Sequence, residues 1–251
     1  MLSNIWNTVL YEPLVNALAF LVSIVPGGDV GLAVILLTIF VKLALYPLSQ
    51  RSIESQLKMN LLAPDLKKIK ANGASKEEQA RQTFELYKQS KTNPFSGCLL
   101  ILIQIPIIFA LYYVFLKGVD IDNGLLYSFI KAPVTINMNF LGILDIGQKS
   151  LILALLAGVS QYFQALFMPK PPTPEKSDKP GGSFQENFTK SMHTQMKYVF
   201  PFVVAFITYS VSGAVALYWI TSNVFAIVQQ LYANKKENKK KVALELEEAV
   251  K

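Results

Sequence analysis

A single lysine, Lys42, lies inside the apolar segment Val30–Leu48, which has no other charged residue. At about 1.5 Å of helix rise per residue, a segment of this length can cross the hydrocarbon core of a bilayer, which is roughly 30 Å thick. A lone ammonium group inside such a helix costs about 2.5–3.5 kcal/mol on insertion scales. The segment therefore predicts a membrane-spanning helix whose lysine needs a polar partner, a hydrated cavity or a route to the membrane surface.

Three further segments have no Asp, Glu, Lys or Arg: Phe95–Leu116, Ser150–Met168 and Tyr198–Tyr232. The last segment is too long for one ordinary span, and Ser212-Gly213 near its middle predicts a turn between two helices. Hydrophobic residues make up 52% of the chain and are concentrated in these blocks, unlike in a soluble domain. The sequence therefore predicts an all-α, polytopic membrane protein with five transmembrane helices.

The boundaries of these blocks divide the whole chain. The predicted spans are residues 30–49, 94–117, 150–168, 198–212 and 213–232. The segments between them are predicted to be an outer interfacial amphipathic helix (1–29), a cytoplasmic helical hairpin (50–93), an outer loop (118–149), a flexible cytoplasmic linker (169–197) and a basic cytoplasmic tail (233–251). Pro and Gly are frequent in the linker, which is why no regular structure is predicted there.

Two of the segments outside the spans have helical patterns. In residues 1–29, apolar residues recur at helical spacing, and Glu12 and Asn16 between them favour an interfacial helix, with a sixth span as the alternative. In residues 50–93, Asn72-Gly73 predicts a helix end. Ser75 followed by Glu78 forms a capping box that opens the next helix, so a helical hairpin is predicted.

Basic residues indicate the orientation of the chain. Lys and Arg are frequent in residues 50–93, 169–197 and 233–251, whereas residues 1–29 have none and residues 118–149 have only Lys131 and Lys149. By the positive-inside rule, the N-terminus is predicted outside and the C-terminus in the cytoplasm. The net charge of +7 is therefore mainly a topology signal.

Polar side chains accompany Lys42 in the predicted spans. They are Thr38, Gln104, Ser160, Gln161, Gln164, Tyr218, Trp219, Thr221, Ser222, Asn223, Gln229 and Gln230. Each one alone is explained by an interhelical hydrogen bond, worth about 0.6 kcal/mol on average. No Asp or Glu lies in any span to neutralise Lys42, so the set favours a hydrated groove that reaches the lysine. Snorkelling of Lys42 toward the inner surface is the alternative.

Motifs for bond-making chemistry are missing from the sequence. The chain has one histidine and one cysteine, and it contains no HExxH motif and no glycine-rich phosphate loop. A carboxylate relay for protons or sodium is also hard to build, because the predicted spans have no acidic residue. The sequence predicts no catalytic residue, no metal site and no cofactor, and the protein is not expected to be an enzyme.

Three motifs resemble the YidC/Oxa membrane protein insertase family, and the resemblance covers nearly the whole chain. They are NPFSGCLLILIQIPIIFALYYVF (Asn93–Phe115), Tyr46-Pro47-Leu48 after a basic residue, and LYWITSNVFAIVQQ (Leu217–Gln230). The resemblance implies five spans around a hydrophilic groove that is open to cytosol and lipid and closed to the outside. It maps the groove onto Thr38, Lys42, Gln104, Gln161 and Trp219. The family's groove arginine is Lys42 here, which keeps the charge and loses the planar fork.

The resemblance implies a membrane protein insertase and chaperone, which inserts and helps fold newly made membrane proteins. A small-solute channel or transporter, and a non-inserting scaffold of a larger translocon, are the alternatives. The implied location is the inner or plasma membrane of a bacterial cell. The implied partners are nascent membrane proteins, membrane lipids, the ribosome and the Sec translocon. Contact with ribosomes or anionic lipid is predicted for the basic tail residues Lys235, Lys236, Lys239, Lys240 and Lys241.

Overall fold

The computed structural model of the protein describes residues 6–93, 96–116, 126–169 and 184–249, and most of these residues are helical. A π-helical turn (Asn7–Tyr11) leads into α1 (Glu12–Ile24), followed by α2 (Val30–Ala44), α3 (Tyr46–Leu61), α4 (Ala63–Ala71), α5 (Lys76–Gln89) and α6 (Ser96–Leu116). The strands β1 (Asn139–Phe140) and β2 (Leu144–Asp145) form an antiparallel hairpin. The remaining helices are α7 (Leu151–Phe167), α8 (Phe184–Tyr198), α9 (Phe200–Ser210) and α10 (Gly213–Ala249).

Two helices among the described residues are long and apolar enough to cross a membrane, namely Asn7–Ile24 and Gly213–Lys239. The bent pair α2 and α3 counts as a third. The helices α7 and α9 are apolar but have only 17 and 11 residues. An 11-residue helix is about 16 Å long, roughly half of the hydrocarbon thickness. The structure therefore confirms a helical, multi-pass membrane protein, while the count of five spans stays a prediction.

The first predicted span is interrupted. The helix α2 ends at Ala44, and α3 starts at Tyr46 with a bend of 62° between their axes. Pro47 explains the break, because it has no N–H to donate and its ring clashes with the carbonyl group four residues earlier. In one unbroken helix Ser49 would share a face with Thr38 and Lys42, and the bend separates it from that face of α2.

The predicted helical hairpin, residues 50–93, has the helix end and the helix N-cap that the sequence predicts. The helix α4 ends at Ala71, and Gly73 has a positive φ of 71°, which is typical of a residue after a helix end. The Ser75 hydroxyl accepts a hydrogen bond from the Glu78 backbone N–H at 3.3 Å and caps α5. The amide of Asn72 also donates to Gln82 at 2.8 Å and joins the two arms.

Two segments are more helical than the sequence suggested. Residues 184–197 of the predicted flexible linker lie in α8, which ends at Tyr198. The Pro and Gly residues of that linker lie before Ser183, so nothing in 184–198 interrupts a helix. Residues 170–183 lie outside the described part of the chain. At the other end, α10 continues through the predicted boundary at residue 232 to Ala249.

The core lies where the apolar helices meet. Leu18 of α1, Val34 of α2, Val204 of α9 and Ala216 of α10 are all at most 1% exposed. Helices α7 and α9 approach closely at Gly158, where a Cβ atom would lie 2.9 Å from the Pro201 carbonyl oxygen. This packing brings the polar residues of α2, α6, α7 and α10 toward one another.

One end of the bundle is covered by the loop 126–149, and we call it the capped end. The Val30 N–H donates to the Asn137 carbonyl at 2.9 Å, and the Ala214 N–H donates to the Ile146 carbonyl at 2.9 Å. Ile146 itself is 0% exposed. The loop therefore satisfies backbone donors at the first turns of both α2 and α10, which would otherwise lack partners.

Asp29 fastens this loop to α2. Its Oδ1 accepts hydrogen bonds from the backbone N–H groups of Gly31 at 2.8 Å and Leu32 at 3.1 Å, as an N-cap residue does. Its Oδ2 accepts a hydrogen bond from the Leu141 N–H at 2.7 Å. The side chain is only 6% exposed, so the carboxylate is almost fully occupied by backbone donors.

Candidate functional site

Lys42 is joined to two other helices through neutral polar groups. Its Nζ donates to Gln104 Oε1 on α6 at 3.1 Å, and Gln104 Nε2 donates to the Tyr218 hydroxyl oxygen on α10. An ammonium group can only donate, so the amide oxygen must face Lys42 and the amide NH₂ must face Tyr218. We call Lys42, Gln104 and Tyr218 the lysine branch of the site.

The lysine branch contains one positive charge and no carboxylate. Lys42 belongs to none of the ion pairs found within the described residues. Its ammonium points at a neighbouring helix, which differs from the path of a lysine that snorkels along its own helix to the surface. The contact with one amide oxygen leaves further ammonium donors for water or for a ligand.

A second set of contacts joins α7 to α10. Trp219 Nε1 donates to Gln161 Oε1 at 2.9 Å, and Gln161 Nε2 donates to Gln164 Oε1 at 3.1 Å. One helical turn further, Asn223 Nδ2 donates to Ser160 Oγ at 2.9 Å. We call these five residues the tryptophan branch. Gln161 and Trp219 are 3% and 8% exposed, so their hydrogen bonds form in a nearly dry environment, where an unpaired polar group is costly.

A third contact lies beyond the bend, toward the end of the bundle opposite the capped end. Gln229 Nε2 on α10 donates to Ser49 Oγ on α3 at 2.9 Å. Further along α10, Lys236 forms an ion pair with Glu54 of α3 at 3.2 Å. Ser49 therefore binds α10 rather than extending the polar face of α2.

The five predicted groove residues are distributed over these branches. Lys42 and Gln104 are in contact, and so are Gln161 and Trp219. Thr38 joins neither pair, because its hydroxyl donates to the Val34 carbonyl of its own helix at 2.6 Å and the side chain is 2% exposed. From the sequence, Tyr218 was identified as a polar residue of a span and not as a groove residue. The structure shows that Tyr218 connects Gln104 to α10.

The predicted tail residues differ in their surroundings. Lys235 and Lys239 line a depression of about 530 Å³ together with Leu231, Asn234 and Asn238. Lys236 is held by Glu54. The side chains of Lys240 and Lys241 lie outside the described part of the structure. Two of the five lysines therefore lie side by side, one helical turn apart, on a face of α10 that is open to a partner.

The groups in the two branches are suited to noncovalent binding. They comprise one ammonium group, four side-chain amides, two hydroxyls and one indole N–H. Such groups can exchange hydrogen bonds with a peptide backbone, and the ammonium can attract a carboxylate. Clusters of His, Cys, Asp and Glu that could hold a metal ion do not occur within the described residues.

Comparisons with known proteins agree on one family. The profile described as "60Kd inner membrane protein" matches residues 20–241. A protein named Membrane protein insertase YidC from Vesicomyosocius okutanii is 33% identical over 231 residues, which are 92% of this chain and 37% of that protein. Proteins of the same name from Oceanobacillus iheyensis and Clostridium tetani are 31% and 30% identical. These alignments cover 92% and 93% of this chain and 84% and 95% of the relatives. The chain thus spans little more than a third of some relatives and nearly all of others.

Proposed function

This chain belongs to the 60Kd inner membrane protein family, and from that premise we propose that it is a membrane protein insertase and chaperone of the bacterial cell membrane. It would insert newly made membrane proteins and help them fold. The observation that supports this most is the lysine branch, in which a positive charge inside an apolar bundle is hydrogen-bonded to the neutral amide of Gln104 and linked through that amide to Tyr218. A transport path for a carboxylate-coupled ion would need acidic groups, and the predicted spans have none.

The proposed mechanism lowers the cost of moving a polar tail through lipid. A charged residue costs several kcal/mol at the bilayer centre. A groove open to cytosol and lipid, hydrated around Lys42 and Gln104 and continued by the buried polar groups of Thr38, Gln161 and Trp219, would replace lipid with water, amides and an ammonium group along part of that path. The apolar segment of the client then partitions sideways into the membrane. No covalent bond forms or breaks, so the protein would not be an enzyme.

The short apolar helices would shorten the path further. The helix α9 is about 16 Å long by its 11 residues, well short of the roughly 30 Å hydrocarbon core. A mismatch of this size is accommodated by a locally thinner bilayer or by polar flanks that reach the surface. A thinner bilayer beside α9 and α10 would reduce the distance that a client tail must cross.

Reconstitution of the purified protein into liposomes tests the proposal. We expect insertion of a single-span client in the absence of other proteins, without any flux of small solutes. Solute flux without insertion would identify a channel or transporter. If the purified protein shows neither insertion nor solute flux, and adding a Sec translocon restores insertion, the protein is a scaffold. Nascent membrane proteins and lipids are the partners that this function requires, and the ribosome and the Sec translocon are proposed as further ones.

The proposed orientation gives the first prediction. Single cysteines in a Cys98→Ser background should react with a membrane-impermeant reagent from outside only at sites in Met1–Asp29 and Lys117–Lys149, because basic residues are depleted there. Sites in residues 50–93 and in the tail should react only after the membrane is opened. Labelling from outside near Lys76 would contradict this orientation.

The basic tail gives the second prediction. The exposed pair Lys235 and Lys239 should bind RNA phosphates, so Lys235→Gln with Lys239→Gln should weaken co-sedimentation with ribosomes at low salt. The remaining binding should depend less steeply on salt, because fewer counterions are released. Lys58→Gln, an exposed lysine of α3, is the matched control. If both variants co-sediment like the parent protein, the tail lysines serve topology and attraction to anionic lipid instead.

A further inference from the structure

The tip of the β1–β2 hairpin exposes apolar side chains at the capped end. Leu141, Gly142 and Ile143 connect the two strands, and we call these three residues the hairpin tip. Leu141 is 57% exposed and Ile143 is 85% exposed. Neither contributes to the core, so their apolar character has no explanation inside the protein.

The backbone conformation of the hairpin tip is also unfavourable for the leucine at position 141. Leu141 has a φ of 53° and Gly142 a φ of 71°. Two consecutive positive φ values are characteristic of hairpin turns that favour Asn–Gly. A leucine in the left-handed region is uncommon because its Cβ atom crowds the backbone, and asparagine adopts this conformation more readily. In water, asparagine would thus suit position 141 better by both conformation and solvation.

The position of the hairpin tip relative to α2 is fixed by three contacts. The Leu141 N–H donates to Asp29 Oδ2 at 2.7 Å, and Asn137 pairs with the backbone of Val30 at 2.9 Å. The Phe140 ring lies directly against Gly31, where a Cβ atom would come within 2.3 Å of it. The hairpin tip therefore sits at the level of the first turn of α2.

That level lies at the edge of the hydrocarbon. The helix α2 has 15 residues and is about 22 Å long, shorter than the roughly 30 Å core of a bilayer. Its first turn cannot extend far into water without withdrawing the apolar remainder from lipid. The chain continues from the hairpin into α7, whose first residues Leu151 and Ile152 are 61% and 65% exposed. The exposed apolar surface of the loop thus leads into the apolar face of a membrane helix.

We propose that the hairpin tip is a lipid anchor, which inserts Leu141 and Ile143 into the boundary between head groups and acyl chains of the leaflet at the capped end. Lipid contact removes both side chains from water and accounts for a leucine in a turn position that favours asparagine. The anchor would hold the capping loop at a fixed depth against α2. It depends on membrane integration alone and not on the insertase activity.

A nitroxide spin label at Ile143→Cys, in the Cys98→Ser background, tests this proposal. The full chain is reconstituted into vesicles of phosphatidylcholine and phosphatidylglycerol, and collisions are measured with oxygen, which concentrates in lipid, and with a nickel chelate, which stays in water. Phe202→Cys on α9 is the lipid-facing reference, because Phe202 is 77% exposed on an apolar helix. Lys88→Cys on α5 is the water-facing reference, because Lys88 is an exposed charged residue.

The expected ratio of oxygen to nickel collisions at position 143 is close to that at 202 and several-fold above that at 88. A ratio equal to that at position 88 would overturn the proposal and place the hairpin tip in water. Shielding from both reagents would also overturn it, since this pattern indicates contact with protein. Labelling at 143 should leave the fold intact, because the side chain is almost fully exposed.

Discussion

Replacing Lys42 with glutamate is expected to reduce insertion of a client with an acidic translocated tail by more than tenfold. A carboxylate about 6 Å from the ammonium gains roughly 2–3 kcal/mol at an effective dielectric constant near 20, which corresponds to about 30- to 160-fold in rate. Glutamate reverses the sign of this interaction. Lys42→Ala should lose the attraction without adding repulsion, and Lys42→Arg should keep most of the activity because the charge remains.

The measurement is insertion of two clients that differ only in the charge of the tail. The Ala and Glu variants should affect the acidic tail far more than the neutral one, and the amount of folded protein should not fall. Tyr218→Phe is a useful companion, because it removes the group that orients the amide of Gln104 toward Lys42 without removing the charge. If Lys42→Ala handles both clients like the parent protein, the electrostatic mechanism is wrong, and snorkelling becomes the better account of Lys42.

Replacing Asp29 with alanine is expected to lower the free energy of unfolding by about 2–4 kcal/mol. The substitution removes the N-cap of α2, worth about 1 kcal/mol, and a buried hydrogen bond from Leu141 to a charged acceptor, worth about 1.5–3 kcal/mol. Hydrogen exchange at the amides of Leu141 and Asn137 should accelerate, because the loop loses its attachment to α2. Unfolding of the protein in lipid bicelles by a denaturing detergent measures the first effect.

Two other substitutions separate the cap from the loop contact. Asp29→Asn retains an oxygen for the cap but can offer Leu141 only an NH₂ group when that oxygen faces Gly31, so an intermediate loss is expected. Asp65→Ala removes an exposed carboxylate that pairs with Lys68, and such pairs are worth at most about 1 kcal/mol. Equal stability of the Asp29→Ala and Asp65→Ala variants would show that Asp29 does not hold the capped end.

The sequence predicted Lys42 as a site residue because a charge in an apolar segment is a strong signal, and the family resemblance added Gln104. Lys42 and Gln104 stand out in their spans without any knowledge of the fold, and the structure brings them to 3.1 Å. Thr38 gives a weaker signal, since a threonine in an apolar helix commonly bonds the carbonyl four residues earlier, as this one does. Tyr218 was one polar residue among several, and only the packing of α6 against α10 reveals its contact.

Other features depend on contacts between distant parts of the chain. Asp29 before an apolar helix has the local signal of an N-cap, but its bond to Leu141 joins residues 112 positions apart and leaves no periodic trace. The break before Tyr46 did have a local signal in Pro47, which the continuous apolar run from Val30 to Leu48 obscured. Hydropathy finds apolar segments, while bends and capping loops follow from tertiary packing.

The helix α10 is continuous from the residues of the lysine and tryptophan branches to the residues of the basic tail. Its 37 residues extend over about 55 Å, and roughly 27 Å of unbroken helix separates Tyr218 from Lys236. If a flexible segment joined the tail to Tyr218, a displacement of the tail would not move Tyr218. A continuous helix transmits tilt and rotation along its whole length. A partner that binds the tail therefore can tilt or rotate the helix that carries Tyr218 and Trp219. The contacts of α10 with α3 are the nearest points about which α10 would turn.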